Sequence, residues 1–184
     1  MKKHYGENAP YKTLGAFRRE SRKQADEQSP AMRKWKHRRA DENQFERWKK
    51  VKGFRNCPET LDKLQEIKYN DSEEWERLKR ERKTLSDIQE KPWTDTFREK
   101  AIKTYYEFRE HGVEFTDHGV ARFLSRMTKE DFWKIHTQPF NYVQDDGRMI
   151  KYYGNQAIIY LPDTKEIVSV IVNRRTAKEG WNEL

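Results

Sequence analysis

The spacing of apolar residues divides the chain into a helical part and a part that contains strands. Between residues 31 and 112, apolar side chains recur at intervals of three and four, as in amphipathic helices. The pattern predicts helices over residues 31–52, 60–68, 72–90 and 94–111. The apolar stripes are narrow and the region is rich in charge, so we expect it to be a spacer or docking region that lies on another surface.

A further helix is predicted to begin at Thr116, a residue type that is favoured as an N-cap. Asp117 follows in the first turn, where a carboxylate suits the helix dipole. His118, Arg122 and Arg126 are spaced four residues apart and therefore share one face. The apolar residues of the same helix share another face: Val120, Phe123, Leu124 and Met127. The helix therefore combines a cationic, titratable face with a face that can pack.

After Pro139 the apolar period changes from helical to alternating, which is typical of strands. A second short helix, capped by Thr128, precedes this change. The predicted strands span residues 140–144, 148–153, 157–161 and 167–173, with a hairpin turn at Asp146–Gly147. Residues 113–184 are thus expected to form an α+β domain with one or two helices packed on a four-stranded antiparallel sheet.

Alternation along the strands suggests which side chains share a face of the sheet. In the last strand, Ile167 and Ser169 are expected on one face and Val168 on the other. Polar residues of the strands are expected to line a cleft beside the helix that carries His118: Lys151, Tyr153, Ser169 and Asn173. Two plainer interpretations remain open, a solvated helix face with an incidental histidine and a Ser169 hydroxyl bonded to a neighbouring strand.

Charge is distributed unevenly along the 184 residues. The net charge is +8, and residues 1–50 hold 15 Lys and Arg against 7 Asp and Glu, whereas the remaining residues are balanced. This distribution predicts a basic, mostly disordered arm over residues 1–30 that contacts an anionic polymer, or alternatively a solubilising tail. Four arginines are candidates for such contacts: Arg18, Arg19, Arg38 and Arg39.

Several functional classes are disfavoured by what the sequence lacks. No apolar run is long enough to span a membrane, and no secretion signal is visible. Cys57 is the only cysteine, so neither an internal disulfide nor a cysteine-based zinc cluster is expected. His111 and His118 are separated by Gly112, and no glycine-rich phosphate loop is present. We therefore expect no metal site and no cofactor.

The polar residues that remain fit one kind of chemistry. A histidine, arginines that bind phosphate, a tyrosine, a hydroxyl and an amide are the groups that a metal-independent ribonuclease uses. Such an enzyme activates the ribose 2′-hydroxyl, protonates the leaving 5′-oxygen and stabilises the charge on the phosphorane.

Three segments carry a resemblance to known proteins: FTDHGVARFLSRM, QPFNYVQDDGRMIKYY and AIIYLPDTKEIVSVIVNRR. They resemble the C-terminal domains of phage minor head proteins and bacterial polymorphic toxins of the barnase–EndoU–colicin–RelE nuclease superfamily. The upstream stretch from Gln44 to Lys79 is similar to the linker that follows the head-morphogenesis domain of minor head proteins. The head-morphogenesis domain itself is not found in this sequence.

The resemblance implies roles for individual residues. His118 matches the active-site histidine as general acid/base, Arg122 and Arg126 the arginines that follow it, and Ser169 a hydroxyl on the last strand. Further residues are expected to contact nucleic acid or to assist catalysis: Tyr153, Lys151, Asn173, Arg174 and Arg175. The expected location is a virion or the bacterial host cytoplasm, and the expected partners are RNA, packaged DNA, portal or head proteins, or an immunity protein. The alternative function is a virion structural protein that binds DNA through its arm without catalysis.

Overall fold

A computed structural model describes residues 18–23 and 29–184, so much of the expected basic arm lies outside the described residues. Residues 18–23 are helical and are called α1. The other helices are α2 (Pro30–Lys49), α3 (Leu61–Asn70), α4 (Ser72–Glu90), α5 (Asp95–Arg109), α6 (Asp117–Arg126) and α7 (Lys129–His136). The strands are β1 (Tyr142–Gln144), β2 (Met149–Tyr153), β3 (Gln156–Tyr160), β4 (Ile167–Ile171) and β5 (Trp181–Glu183).

The chain divides into two compact units. The first contains α1, α2 and α3, and the second contains residues 50–57 and 73–184. The expected domain boundary at residue 113 lies inside the second unit, so α4 and α5 belong to the same unit as the sheet. The division into an arm, a helical spacer and an independently folding domain stays a prediction.

A buried carboxylate holds the two long helices of the first unit together. Asp41 of α2 is 1% exposed and accepts hydrogen bonds from three residues of α3: Gln65 at 2.9 Å, Lys68 at 2.5 Å and Tyr69 at 3.1 Å. These donors keep the pKa of Asp41 below its ordinary value although burial alone would raise it. The carboxylate is thus buried as a fully bonded anion.

The predicted α+β class is confirmed, but the sheet has five strands where four were expected. Strands β1 to β4 form the predicted antiparallel meander, and β5 adds beside β1 to give the order β4-β3-β2-β1-β5. Tyr142 pairs with Glu183, and Gln144 with Trp181. A three-residue strand with one apolar residue is too short to show alternation, which explains why the pattern did not predict β5.

Threonine caps set the starts of the helices around the sheet, as predicted. The side chains of Thr94, Thr116 and Thr128 accept hydrogen bonds from backbone N–H groups three residues further on. Each bond satisfies one donor that the first turn leaves without a helical partner. Helices α5, α6 and α7 therefore begin where the sequence indicated.

A β-bulge in β4 corrects the predicted alternation of that strand. Ser169 pairs with Ile159 but Ile167 pairs with Tyr160, so one extra residue, Val168, is inserted between the two pairs. Ile167 consequently faces the same side as Val170, and Val168 packs against the cluster on the other side of the sheet. The prediction that Ile167 and Ser169 share a face was wrong, because strict alternation does not hold across a bulge.

The core of the second unit is dominated by aromatic rings. Phe108 of α5 meets Phe115, Phe123 and Phe132 edge-on, with ring centroids 5.2, 4.8 and 4.9 Å away. Edge-to-face pairs of this kind stabilise by about 0.5–1.5 kcal/mol beyond their buried area. A smaller cluster covers the opposite face of the sheet and consists of Ile150, Ala157, Ile159 and Trp181.

A buried carboxylate joins residues 50–57 to α4 and α5. Glu81 is fully buried and accepts from Arg109 Nη1 and from the Tyr106 hydroxyl, both at 2.6 Å. Asn56 donates to the same carboxylate at 3.0 Å. Removing one partner of a buried charge pair typically costs about 3–5 kcal/mol, so this network fixes the helices that support α6 and α7.

Candidate active site on helix α6

Helix α6 lies against the edge of the sheet, where its approach is governed by Gly119. The segment before α6 pairs with β4, since Ile167 N donates to Glu114 O at 2.8 Å and Thr116 N donates to Ile167 O at 3.0 Å. A Cβ atom on Gly119 would lie 1.9 Å from the Ile167 carbonyl oxygen. Only glycine permits this contact, so Gly119 fixes the position of its neighbour His118.

His118 and Arg122 are joined on the outer side of α6. Arg122 Nε donates to His118 Nε2 at 3.1 Å, across one turn of the helix. Because the guanidinium can only donate, His118 Nε2 must carry a lone pair in this arrangement. The imidazole is therefore neutral and its side chain is exposed to solvent. The predicted sharing of one face is confirmed as a direct contact.

The surroundings of His118 favour its neutral form. Partial burial lowers the pKa of His118, and the positive charge of Arg122 lowers it further. Asp117 acts in the opposite direction but is paired with Lys91, whose Nζ lies 2.8 Å from the Asp117 carboxylate. A neutral imidazole with a cation beside it is suited to accept a proton near an anionic group.

Arg126 completes the cationic side of the helix. Its Nη1 lies 3.5 Å from the Val170 carbonyl oxygen at the edge of β4, and the side chain is exposed. The contact holds the guanidinium beside the edge strand, one turn beyond Arg122. Two arginines and a neutral histidine therefore lie along one side of α6.

The sheet separates the other expected catalytic residues from each other. Lys151 and Tyr153 contact the α7 side, where the Lys151 ammonium donates to His136 O and the Tyr153 hydroxyl donates to Pro139 O at 3.0 Å. Ser169 pairs with Ile159 and therefore belongs to the opposite face. The expected cleft lined jointly by these residues does not form, because the register places Lys151 opposite Ile158 and Ser169 opposite Ile159, on two sides of the sheet.

The residues after β4 were expected to contact nucleic acid, and they lie in different environments. Asn173 adopts a left-handed conformation with φ of 58° and is exposed, as is Arg175. The Arg174 guanidinium instead lies 5.9 Å from the Trp181 ring centroid, and its backbone carbonyl accepts from the Tyr152 hydroxyl at 2.7 Å. Arg174 therefore packs on the sheet, whereas Arg175 is exposed to solvent.

The four N-terminal arginines belong to the first unit, and all of them are exposed: Arg18, Arg19, Arg38 and Arg39. Arg38 pairs with Glu42 at 3.3 Å, and the Arg39 guanidinium lies 5.6 Å from the Trp35 ring centroid. Trp35 is itself 55% exposed. An exposed aromatic ring beside cations suits a nucleic-acid chain, although it also fits a solvated helix.

A second polar cluster was missed by sequence reasoning. His136 Nδ1 lies 2.9 Å from the Tyr160 hydroxyl, and the Lys151 ammonium lies 5.5 Å from the Tyr160 ring centroid. Burial lowers the pKa of His136, and Lys151 lowers it further. These residues come from α7, β3 and β2, and no local spacing links them, so only the register of the sheet could have indicated the cluster.

Neither a metal-binding group nor a membrane-spanning helix occurs in the part of the chain that the structure describes. Among residues 18–23 and 29–184, no three His, Cys, Asp or Glu side chains are grouped so that they could hold a metal ion. Within the same ranges, no helix has both the length and the apolar character needed to cross a membrane. Comparison with protein-family models, with curated proteins and with solved structures found no match for this chain.

Proposed function

We propose that this protein is a metal-independent endoribonuclease whose active site is the outer side of α6. The observation that carries the proposal is the 3.1 Å hydrogen bond from Arg122 to His118, which pairs a phosphate-binding guanidinium with a neutral imidazole. General bases of this kind contribute about 10²–10⁴-fold to rate. His118 would take the proton from a ribose 2′-hydroxyl while Arg122 binds the adjacent phosphate. The 2′-oxygen then bonds to phosphorus and the P–O5′ bond breaks, which leaves a 2′,3′-cyclic phosphate. The imidazolium of His118 returns the proton, by way of solvent, to the leaving 5′-oxygen.

The contact between the two residues couples phosphate binding to activation of the base. In the structure, Arg122 occupies the His118 Nε2 lone pair that would accept the proton. A phosphate is a stronger acceptor for a guanidinium than a neutral imidazole, because it is charged and can accept two parallel bonds. When Arg122 turns towards the phosphate, the lone pair is released beside the substrate. Arg126, one turn away, would neutralise charge that develops on the phosphorane.

Incubation of the full chain with end-labelled RNA at neutral pH tests this proposal. We expect cleavage in the presence of excess EDTA, since the imidazole and the guanidinium supply base and charge stabilisation without a cation. A preparation that cleaves only when Mg²⁺ or Zn²⁺ is added would overturn the mechanism. The substrate and the phage or toxin setting suggested by the resemblance remain part of the proposal.

One observation favours a second function, a DNA-contacting structural role without catalysis. Helices α1 and α2 both carry exposed arginines, and α2 also carries the exposed Trp35, so the first unit has basic surface made of residues outside α6. A virion protein with portal or head partners would use such a surface to contact packaged DNA, mainly through phosphates.

Replacing Arg18, Arg19, Arg38 and Arg39 by glutamine in the full chain separates the two functions. Each lost phosphate contact should reduce the slope of log affinity against log salt by about 0.9 on duplex DNA. A ribonuclease with its site on α6 would retain cleavage of a short RNA after these changes. Loss of every nucleic-acid activity in this variant would favour the structural role.

A further inference from the structure

Two lysine side chains from different parts of the sheet converge on one aromatic ring. The Lys151 ammonium lies 4.9 Å and the Lys165 ammonium 5.9 Å from the centroid of Phe140. Lys151 belongs to β2, whereas Lys165 belongs to the turn between β3 and β4. The fold therefore places two ammonium groups within 6 Å of the same ring centroid, at a place where the sequence shows no basic run.

Neither charge is neutralised by a carboxylate. Within residues 18–23 and 29–184, no ion pair involves Lys151 or Lys165. Glu166 follows Lys165 directly, but it is 8% exposed and its carboxylate accepts from the Thr164 hydroxyl at 2.8 Å. The two ammonium groups are therefore left to aromatic faces and to a single backbone carbonyl.

The surroundings of Lys151 are such that a bound anion would stabilise its charged form. It is half-buried and donates to His136 O, which engages one of its three N–H donors. Burial lowers the pKa of Lys151, so its charged form is less stable here than in water. An opposite charge nearby would stabilise the ammonium again.

The backbone of Lys165 provides an independent observation. Lys165 has φ of 60°, the left-handed region that a side chain with Cβ disfavours. The two other non-glycine residues with positive φ among the described residues are both asparagine, a type that tolerates this conformation. The turn closed by the hydrogen bonds Leu161 N to Glu166 O and Lys165 N to Leu161 O holds this conformation, and it keeps the Lys165 ammonium over Phe140.

We propose that Lys151 and Lys165 form a binding site for a backbone phosphate of the nucleic-acid substrate, with Phe140 as the ring beneath it. The turn that carries Lys165 leads directly into the part of β4 that contacts α6, because Lys165 lies two residues before Ile167, whose carbonyl oxygen faces Gly119. As a subsite for RNA, it rests on the proposed ribonuclease activity. Its task is to hold the strand while His118 acts on a different phosphate.

Phosphate binding is measured first, without reference to catalysis. Inorganic phosphate is titrated into the full chain, and the lysine side-chain resonances are followed by NMR. We expect Lys151 and Lys165 to shift together, with the pKa of Lys151 rising as phosphate binds. A non-hydrolysable deoxyribo-tetranucleotide then distinguishes the two sources of phosphate, since a substrate subsite should bind the tetranucleotide more tightly than the free ion.

Two variants and one control test the residues. Lys151→Gln and Lys165→Asn should each weaken tetranucleotide binding at least about tenfold, as expected for loss of a hydrogen bond to a charged group. Lys165→Asn should at the same time leave Tm unchanged or raise it, because asparagine suits the left-handed backbone. Lys103→Gln, on the exposed side of α5, should change neither quantity.

The outcomes separate this site from the ribonuclease proposal. Both lysine variants should raise KM for a short RNA with little change in kcat, as for groups that bind substrate and transition state equally. If His118 proves essential for cleavage while the lysine variants bind and cleave like wild type, the proposed subsite is rejected and the proposed ribonuclease activity is retained. If phosphate shifts the resonances of both lysines but no RNA is cleaved, the anion site is retained and the proposed ribonuclease activity is rejected. If added phosphate shifts the resonances of Lys103 as strongly as those of Lys165, the result would indicate an adventitious ion only.

Discussion

Helices α6 and α7 each carry a histidine, and the two residues show how similar electrostatic effects can serve different purposes. In both, partial burial lowers the pKa and a neighbouring cation lowers it further, Arg122 for His118 and Lys151 for His136. His118 is exposed at the start of its helix and bonds to the cation itself. His136 stacks on Phe132 at 5.3 Å and bonds to the buried Tyr160 hydroxyl.

The two histidines differ in the partners that their rings contact. The His136 ring contacts Phe132 and Trp133 of its own helix and the buried Tyr160 of the sheet, so its neutral form contributes to packing. Among the residues that the structure describes, the His118 side chain makes one polar contact, with a guanidinium that a phosphate can take over. A lowered pKa therefore does not by itself identify a catalytic histidine. The proposed role of His118 rests on the combination of a lowered pKa with an accessible, exchangeable partner.

The largest expected effect is on RNA cleavage by the two histidine variants. His118→Gln should reduce kcat/KM by about 10²–10⁴-fold, the contribution of a general base, and should leave Tm nearly unchanged. His136→Gln should change cleavage far less than stability. Initial rates on a fluorescent RNA and thermal unfolding of both variants make the comparison. Equal losses of activity in the two would remove the distinction between the rings.

The next effect concerns the position of α6. Gly119→Ala should lower the free energy of unfolding by about 3 kcal/mol or more, because the added methyl group collides with the Ile167 carbonyl, which is backbone. Urea unfolding measures the change.

Gly112→Ala is the matched control for Gly119→Ala. Gly112 has φ of 76° but nothing within 4 Å of an added Cβ, so this variant carries backbone strain without a collision. Gly112→Ala should lower the free energy of unfolding by only about 1 kcal/mol. If Gly119→Ala proved as mild as the control, α6 would not be fixed against β4 in the way that the structure indicates.

A smaller effect is expected at the second histidine. His136→Ala should destabilise by about 1–3 kcal/mol through loss of stacking and an unpaired Tyr160 hydroxyl. Tyr160→Phe should cost about 1 kcal/mol, and the double variant less than the sum, since both remove the same bond.

The stability of the protein should also fall as the pH is lowered below about 6.5, the ordinary pKa of histidine. The folded state holds His136 with a lowered pKa, so the unfolded state takes up the proton first and is favoured by acid. His136→Phe keeps a ring on Phe132 and should reduce this dependence to the part that His118, whose pKa is also lowered, contributes. If the pH dependence of stability is unchanged in His136→Phe, it arises from other groups.

The smallest effect is a shift in the titration of His118. Arg122→Gln should raise the pKa of His118, because the guanidinium charge that opposes protonation is removed, and Arg126→Gln should raise it less. Histidine Cε1–H resonances followed by NMR give both values without requiring activity. A larger rise in Arg126→Gln than in Arg122→Gln would show that the pairing in solution differs from the structure.

The local features of this fold were predictable because they depend on local chemistry. The threonine caps of α5, α6 and α7 and the turn at Asp146–Gly147 follow from residue types and spacing, and so does the pairing of His118 with Arg122. The bulge at Val168, strand β5 and the approach of Gly119 to Ile167 depend on contacts between distant segments. The strand register likewise decides that Ser169, opposite Ile159, lies away from Lys151, opposite Ile158, and no periodicity within one strand could have revealed it.

The central claim is that His118 activates a ribose 2′-hydroxyl. A DNA oligonucleotide that contains one ribonucleotide tests it directly, incubated with the full chain in EDTA and analysed by mass spectrometry. The account predicts a single cut after the ribonucleotide, with a 2′,3′-cyclic phosphate on the 5′ fragment, and no cut when that sugar is 2′-deoxy or when His118 is glutamine. Cleavage of the all-deoxy strand, or equal cleavage by the His118→Gln variant, would contradict it.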